Sequence, residues 1–413
     1  MTVELRIATL GAGGDGIAET VEGPVYVPYT LPGERVRARF GPRRGDGRTA
    51  VLTELLDAAP GRVTAPCRHF GACGGCALQH FAQPAYLEWK RGLVATALAR
   101  RGLTGVDVRP CLATSPASRR RVRLRARVHG GRAVLGLNRR HSHDIVGLTE
   151  CPVLRPALTV LLAPLAVLLG ILIRDRRPLD VQLTETEGGV DLWIASDETR
   201  GLAGDETLAA FAETRDLARI SWGTEAETVL SRRPAVLRFG AALVAPPPQT
   251  FLQPSVEGEA AILALAREAL EGAGNVADLF AGAGTFSLPL GAVLAVDADA
   301  PALAALAAAA RAVPGLKPTA TLHRDLFRRP LSAAELGGYD AVLLDPPRAG
   351  ARAQAEALAT SAVPQVAMAS CNPATFARDA RLLIDGGYRL DWVAPIDQFL
   401  WSPEVELVAR FSR

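Results

Sequence analysis

Apolar and polar positions alternate with a period of two through the first sixty residues, the signature of half-buried strands. Val3, Leu5 and Ile7 begin the pattern, the stretch Gly11-Ala12-Gly13-Gly14-Asp15-Gly16 interrupts it, and Val25-Tyr26-Val27, residues 35–40 and residues 50–56 resume it. With the turn at Leu31-Pro32-Gly33-Glu34, this predicts a small all-β unit over residues 1–58, of a size suited to an OB-like barrel. No helical pattern follows the glycines and no Walker lysine closes them, so a barrel turn accounts for them better than a phosphate cradle. The arginines of residues 35–40, with Arg43, Arg44 and Arg48, either meet RNA phosphates or face water.

The pattern then changes. A helix is expected over residues 85–101, followed by a ribbon in which Arg119, Arg120, Arg121, Arg123, Arg125 and Arg127 interleave with Val122, Leu124, Ala126 and Val128. A period of two puts arginine on one face and apolar side chains on the other, and Gly130-Gly131 turns the strand back. Such a cationic face neutralises phosphates without reading bases, which points to RNA. Residues 157–173 are almost wholly apolar, but Pro164 and Gly170 interrupt them and α/β patterns flank them, so a buried helix is expected rather than a membrane span. Alternating strands over residues 180–195 and 217–237 complete a mixed α+β domain over residues 59–240.

Pro246-Pro247-Pro248 marks the boundary to a last domain, residues 241–413, whose strands and helices alternate as in a Rossmann-like α/β fold. A helix over residues 257–271 leads to a strand and the turn Asp278-Leu279-Phe280-Ala281-Gly282-Ala283-Gly284-Thr285-Phe286. Glycines after a strand let a ligand approach the backbone, yet the spacing is not that of a dinucleotide fingerprint. An acidic residue before the glycines, with Asp297 ending the next strand, favours S-adenosylmethionine over a nicotinamide. Asp325 bounds the adenine side of such a pocket. A further strand ends in Asp345-Pro346-Pro347-Arg348, and the next ends at Ser370-Cys371-Asn372-Pro373, where a lone thiol is a candidate nucleophile. Amine methylation needs no covalent nucleophile, whereas a poorly nucleophilic ring carbon does.

Composition narrows the setting. The chain has 413 residues, a formal net charge of only +3 and 49% hydrophobic residues, so any nucleic-acid surface comes from local arginine clustering. Six cysteines without a charged-then-apolar leader argue for a reducing cytoplasm, where thiols serve metals or catalysis. Cys67, Cys73 and Cys76, spaced C-x5-C-x2-C among glycines, need a fourth ligand that Cys151 can supply. Four thiolates suit tetrahedral zinc or a four-iron four-sulfur cluster, and the three-plus-one arrangement leans toward the cluster. Cys111 is isolated and has no assigned role.

These motifs together resemble the TRAM-domain 5-methyluridine RNA methyltransferases, over nearly the whole chain. The resemblance implies a multidomain protein: a TRAM barrel, a central α+β domain with an iron–sulfur site, and a C-terminal class I S-adenosylmethionine-dependent methyltransferase domain. By that likeness Cys67, Cys73, Cys76 and Cys151 hold a [4Fe-4S] cluster, and Gln253, Phe280, Thr285, Asp297, Asp325 and Asp345 surround the donor or target base. Cys371 becomes the nucleophile, and Glu404-Val405-Glu406 resembles the family's His-Val-Glu motif, which assigns the general base to Glu406. Departures are Glu404 for the frequent His, Asp297 for an often-seen Glu, Thr285 for a sometime Asn, and Ser255 for an Asn after Gln253. The family also lets residues 79–111 pack on the catalytic domain. The implied substrate is a uridine in RNA, with 23S rRNA preferred over tRNA; a silent RNA-binding protein and a methylase of another base are the competing readings.

Overall fold

A computed structural model describes residues 2–174 and 177–413. The side chain of Arg44, one of the barrel arginines named above, lies outside the described residues. Six strands between Thr2 and Asp57 form one sheet, in which Thr2–Arg6 pairs with Arg35–Arg44 at one edge and Thr9–Leu10 pairs with Asp15–Thr20 at the other. Ile7 and Ala8 alone separate the two edge segments, so the edges must meet and the sheet curls into a barrel. The Ala8 amide donates to the Ile17 carbonyl at 2.8 Å across that closure. Leu5, Ile7, Val27 and Val36 fill the interior, as the alternation predicts.

A seven-stranded sheet occupies the middle of the molecule, with Leu179–Thr186, Arg121–His129 and Arg132–Asn138 adjacent. Val122, Leu124, Ala126 and Val128 share a core with Leu165 and Leu169 of the helix Leu162–Leu172. Arg123 and Arg127 are exposed on the opposite face. The expected arginine face is nevertheless smaller than the sequence pattern suggests. Arg120 precedes the strand and is buried in an ion pair with Glu259, while Arg125 is bound to Asp180 at 2.6 Å. The apolar run 157–173 also differs from the single buried helix expected. It forms two helices, Pro156–Thr159 and Leu162–Leu172, and leaves Val167 and Ile171 exposed. Pro164 lacks the amide proton needed to continue a helix through this point, which is why the second helix starts afresh just before it. Among the described residues no helix is long and apolar enough to cross a membrane. The helix Gly201–Thr214 escaped the sequence reading because its inner face is only Gly204, Leu208 and Ala212.

The last sheet positions the site. In chain order its strands are β1 (Val276–Leu279), β2 (Leu294–Asp297), β3 (Ala320–His323), β4 (Ala341–Leu344), β5 (Gln365–Ser370), β6 (Arg389–Ile396) and β7 (Glu406–Ser412). They lie in the order β3-β2-β1-β4-β5-β7-β6, and β7 alone runs against its neighbours. The carboxyl ends of β1 to β5 and the amino end of β7 therefore share one edge, the edge at which α/β sheets bind ligands. The hairpin of Leu237–Phe239 and Ala242–Val244 packs against Leu288 and Leu303 of this unit.

A segment from far upstream completes it. Helix α1 (Gln83–Ala99) buries Tyr86, Lys90, Val94 and Leu98 at a spacing of four, and Val94 and Leu98 share a core with Leu344, Val366 and Phe376. Lys90, one of the chain's two lysines, is wholly buried in that stripe. Its ammonium donates to Asp397 Oδ1 at 2.5 Å, to the Phe399 carbonyl at 3.2 Å and to the Glu404 carbonyl at 2.5 Å, which uses all three of its donors. The Tyr86 hydroxyl adds a bond to Asp397 Oδ1 at 2.7 Å. Burial pushes the Lys90 pKa down and the Asp397 pKa up, and the pairing opposes both shifts. The pair thus pins the segment between β6 and β7.

Removing one partner of such a pair strands the other in the core. Lys90→Met is expected to cost about 3–5 kcal/mol of native stability, read as a lower thermal midpoint, and Lys90→Met/Asp397→Leu should recover part of the loss. An unchanged midpoint for Lys90→Met would show that the pair does not hold the segment.

Candidate active site

Each loop at the shared sheet edge is held by its own side chains. After β1, Phe280 adopts a φ of 68°, a left-handed conformation uncommon for a bulky residue, and its amide donates to the Val296 carbonyl at 2.9 Å. Gly284, with a φ of 89°, lets the same turn pass close over Leu306. Asp297, at the end of β2, accepts from the Gly282 amide at 2.8 Å and from the Asp299 amide at 2.8 Å. Thr285 lies half-buried in the turn after β1. Asp325, beyond β3, accepts from the Phe327 amide at 2.9 Å, and the Phe327 ring packs 5.5 Å from that of Phe280. Asp278, in the middle of this group, is fully buried and bound by the Ser287 hydroxyl at 2.5 Å. Burial pushes its carboxyl up to about 7, against the Ser287 bond and with help from the charges of Asp345 and Asp297.

The loops after β4 and β5 are stitched together. The Arg348 carbonyl accepts from Asn372 Nδ2 at 3.2 Å and from the Thr375 hydroxyl at 3.2 Å, while Asn372 caps helix α2 (Pro373–Asp385) by accepting from the Ala374 amide at 3.0 Å. Cys371 sits between these bonds, half-buried. Strand register brings Glu406 beside it: Ser370 pairs with Leu407 on one side of β7, and Ile396 pairs with Glu406 on the other. Glu406 is 3% exposed, and its Oε1 has no hydrogen-bond partner among the described residues.

The electrostatics of this corner favour neutral groups in the free protein. Burial, then the charges of Glu406 and Asp345, push the Cys371 thiol up to about 11, with Arg348 opposing. Burial lifts Asp345 to about 7, partly offset by a bond from Gln253 Nε2 at 3.0 Å. Burial and then the charge of Asp345 hold Glu406 well above the usual carboxylate range. Arg348 is largely exposed and engaged with Glu404 at 2.9 Å. The charge of Asp345 therefore raises the cost of ionising both Glu406 and Cys371, and that of Glu406 the cost of ionising Cys371.

A cavity of about 1170 Å³ lies between the Arg348–Glu404 pair and four of the other cysteines. Arg348 and Glu404 wall one end, the barrel loop around Gly13 and Asp15 another, and Cys67, Cys73, Cys76 and Cys151 line it together. Cys73 is linked to the central sheet by a bridge to Arg139, and Gly74 lies too close to the Asn138 and Arg140 backbone to carry a side chain. Among the described residues no three His, Cys, Asp or Glu side chains stand close enough to share one metal ion.

No protein-family model matches the chain. Relatives match along its whole length: an RNA methyltransferase of Brucella melitensis is 45% identical over 100% of this chain and 98% of its own, and one of Caulobacter vibrioides is 43% identical over 99% and 100%. The chain belongs to the RNA methyltransferase family. Within that family, the 23S rRNA (uracil(1939)-C(5))-methyltransferase of Halomonas elongata is 35% identical over 98% of this chain and 88% of its own. The methyltransferase also shares its overall fold, at a TM-score of 0.77 and 23% identity over 99% of both chains, with the Pyrococcus abyssi tRNA (uracil-54, C5)-methyltransferase, solved with S-adenosyl-L-homocysteine.

Of the residues singled out in the sequence, Gln253, Phe280, Thr285, Asp297, Asp325, Asp345, Cys371 and Glu406 all fall on the one sheet edge, and the four cysteines fall on the adjoining cavity. Sequence reasoning missed Gln398, Lys90 and Asp397. Gln398 Nε2 donates to Gln253 Oε1 at 2.8 Å and to Glu406 Oε2 at 3.2 Å. Its only local signal is that two polar residues, Asp397-Gln398, follow the apolar strand β6 and are buried.

Because the raised thiol pKa keeps Cys371 protonated at neutral pH, its alkylation by iodoacetamide in the free methyltransferase should rise about tenfold per pH unit from 7 to 10 without levelling. Arg348→Met should slow it at any fixed pH. Peptide mass spectrometry reads this position separately from the other cysteines, and a plateau below pH 8 would contradict the electrostatic picture.

Proposed function

We propose that the protein methylates carbon 5 of a uridine in RNA, with S-adenosylmethionine as methyl donor and Cys371 as covalent nucleophile. The observation that carries this reading is a half-buried thiol, Cys371, next to a buried carboxylate, Glu406, on the edge where Asp297, Asp325 and Asp345 gather. The 35% identical relative that acts on uracil carbon 5 of 23S rRNA supports the substrate class, and with it ribosomal RNA in the cytoplasm as the preferred target over transfer RNA. On this reading residues 1–58, 59–240 and 241–413 act as barrel, central RNA-binding domain and catalytic domain.

Uracil carbon 5 is too weak a nucleophile to displace a sulfonium unaided. The Cys371 thiolate adds to carbon 6 and pushes electron density onto carbon 5, which takes the methyl group. Glu406 then removes the carbon 5 proton and the thiolate is expelled. Asp345 holds the uracil edge or the donor, with Gln253 fixing its orientation. Phe280, Thr285, Asp297 and Asp325 line the donor side, and Arg348 steadies the developing negative charge. The raised pKa of Cys371 in the free state fits a nucleophile that ionises only when substrate fills the corner. The target uridine must leave its stack, so a single-stranded or extruded base is required.

Cys67, Cys73, Cys76 and Cys151 would hold a [4Fe-4S] cluster in a structural role. Four thiols lining one cavity supply the donor set, and their three-plus-one arrangement along the chain favours the cluster over lone zinc. Arg123 and Arg127, exposed on the neighbouring sheet, offer the phosphate contacts.

Nucleoside mass spectrometry of RNA from a strain lacking the gene should show one 5-methyluridine lost from 23S rRNA, restored by the wild-type protein and not by Cys371→Ala. Loss of any other modified base would overturn the reading. Protein purified without oxygen should be brown, with iron and sulfide that Cys76→Ser abolishes; colourless, iron-free, zinc-rich protein would refute the cluster.

A further inference from the structure

Two carboxylates at the sheet edge are joined by a chain of amides. Gln253 Nε2 donates to Asp345 Oδ2 at 3.0 Å, and Gln398 Nε2 donates both to Gln253 Oε1 at 2.8 Å and to Glu406 Oε2 at 3.2 Å. Gln253, Gln398 and Glu406 are all buried. The direction of the chain follows once the acids are ionised, the state in which Glu406 can take a proton. An ionised carboxylate only accepts, so each amide then turns its nitrogen toward its acid. Were the Gln398 amide flipped, its oxygen would face two acceptors and lose both bonds.

A second contact confines the amide from behind. Gly258, in the first turn of the helix Val256–Ala269, lies against Gln398 Oε1, and a methyl group built on Gly258 would collide with it. Gln398 Oε1 has no hydrogen-bond partner among the described residues. A buried amide oxygen left unpaired is costly. The side chain accepts that cost while directing both N–H groups at the site.

We infer that Gln398 is a positioning residue for proton removal. Resting on the covalent uracil mechanism above, the inference is that Gln398 holds Glu406 by Oε2 so that the unpartnered Oε1 faces carbon 5, in fixed register with Asp345 through Gln253. In the step it serves, the C5–H bond breaks and the proton passes to Glu406 Oε1. The electron pair forms the C5–C6 double bond, and the C6–S bond breaks to return its electrons to the Cys371 sulfur. Burial and then the charge of Asp345, from the end of β4, raise the Glu406 pKa; Gln398 and the Leu407 amide oppose them, and the Cys371 thiol faces Glu406 from the end of β5. Arg348 and Glu404 at the mouth are engaged with each other, and Glu259 of the packed helix with Arg120.

The test separates addition and methyl transfer from proton removal. RNA containing 5-fluorouridine cannot lose the substituent at carbon 5 as a cation, so it traps the methylated adduct without any call on the base. Wild-type protein and Gln398→Met are both expected to give a denaturant-stable band with it. With unmodified RNA and methyl-labelled S-adenosylmethionine, only Gln398→Met should accumulate a band carrying protein, RNA and label, with turnover lowered about tenfold and KM little changed. The donor bond holds the Glu406 pKa down, so its loss should move the acid limb of the kcat profile to higher pH. Gly258→Ala, which displaces the amide without removing it, should show the same accumulation more weakly. If wild-type protein fails to trap 5-fluorouridine RNA, the covalent mechanism itself falls. If wild-type traps it and Gln398→Met either loses that trap, turns over like wild-type, or slows without accumulating the labelled band, the positioning role is overturned and the mechanism stands.

Discussion

A buried ammonium facing a buried carboxylate decides what the sheet edge can present. Lys90 and Asp397 are 307 positions apart in the chain, and each is essentially without solvent contact. Their pairing, with the carbonyls of Phe399 and Glu404, fixes the segment that carries Gln398 at one end and delivers Glu406 at the other. An ion pair in such a place contributes little net stability against an apolar substitute, but it tolerates only one arrangement of its surroundings. The last sheet of this chain therefore rests on a helix that lies, in sequence, between the cysteine loop and the central sheet.

That arrangement explains the electrostatics of the corner. Two acids and a thiol crowd together with Arg348 as the nearest compensating charge, and Arg348 is committed to Glu404. Amides take the place of cations: Gln253 and Gln398 donate to the acids without neutralising them. Glu404 at the mouth holds Arg348 in an ion pair at 2.9 Å.

Much of this was legible in the chain. Period-two alternation located the barrel strands and the Arg121–His129 ribbon, and glycine and proline turns located the loops after β1, β4 and β5. Asp297, Asp345 and Cys371 were visible because each ends an apolar run. What escaped was set by distant partners. Gln398 acquires meaning only from Gln253 and Glu406, and Lys90 reads as an ordinary charge in an amphipathic helix until Asp397 folds onto it. Arg120 looked like one more member of a cationic face because its neighbours are arginines, yet Glu259 draws it into the core. The apolar run over residues 157–173 looked like one helix because hydropathy does not register a missing amide proton at Pro164.

On this mechanism one of the six cysteine sulfurs attacks the base. Tandem mass spectrometry of the protease- and nuclease-digested complex with 5-fluorouridine RNA addresses it directly. The account predicts a single modified peptide, in which Cys371 carries the nucleotide together with one methyl group. A nucleotide on any other cysteine, or no covalent nucleotide at all, would contradict it.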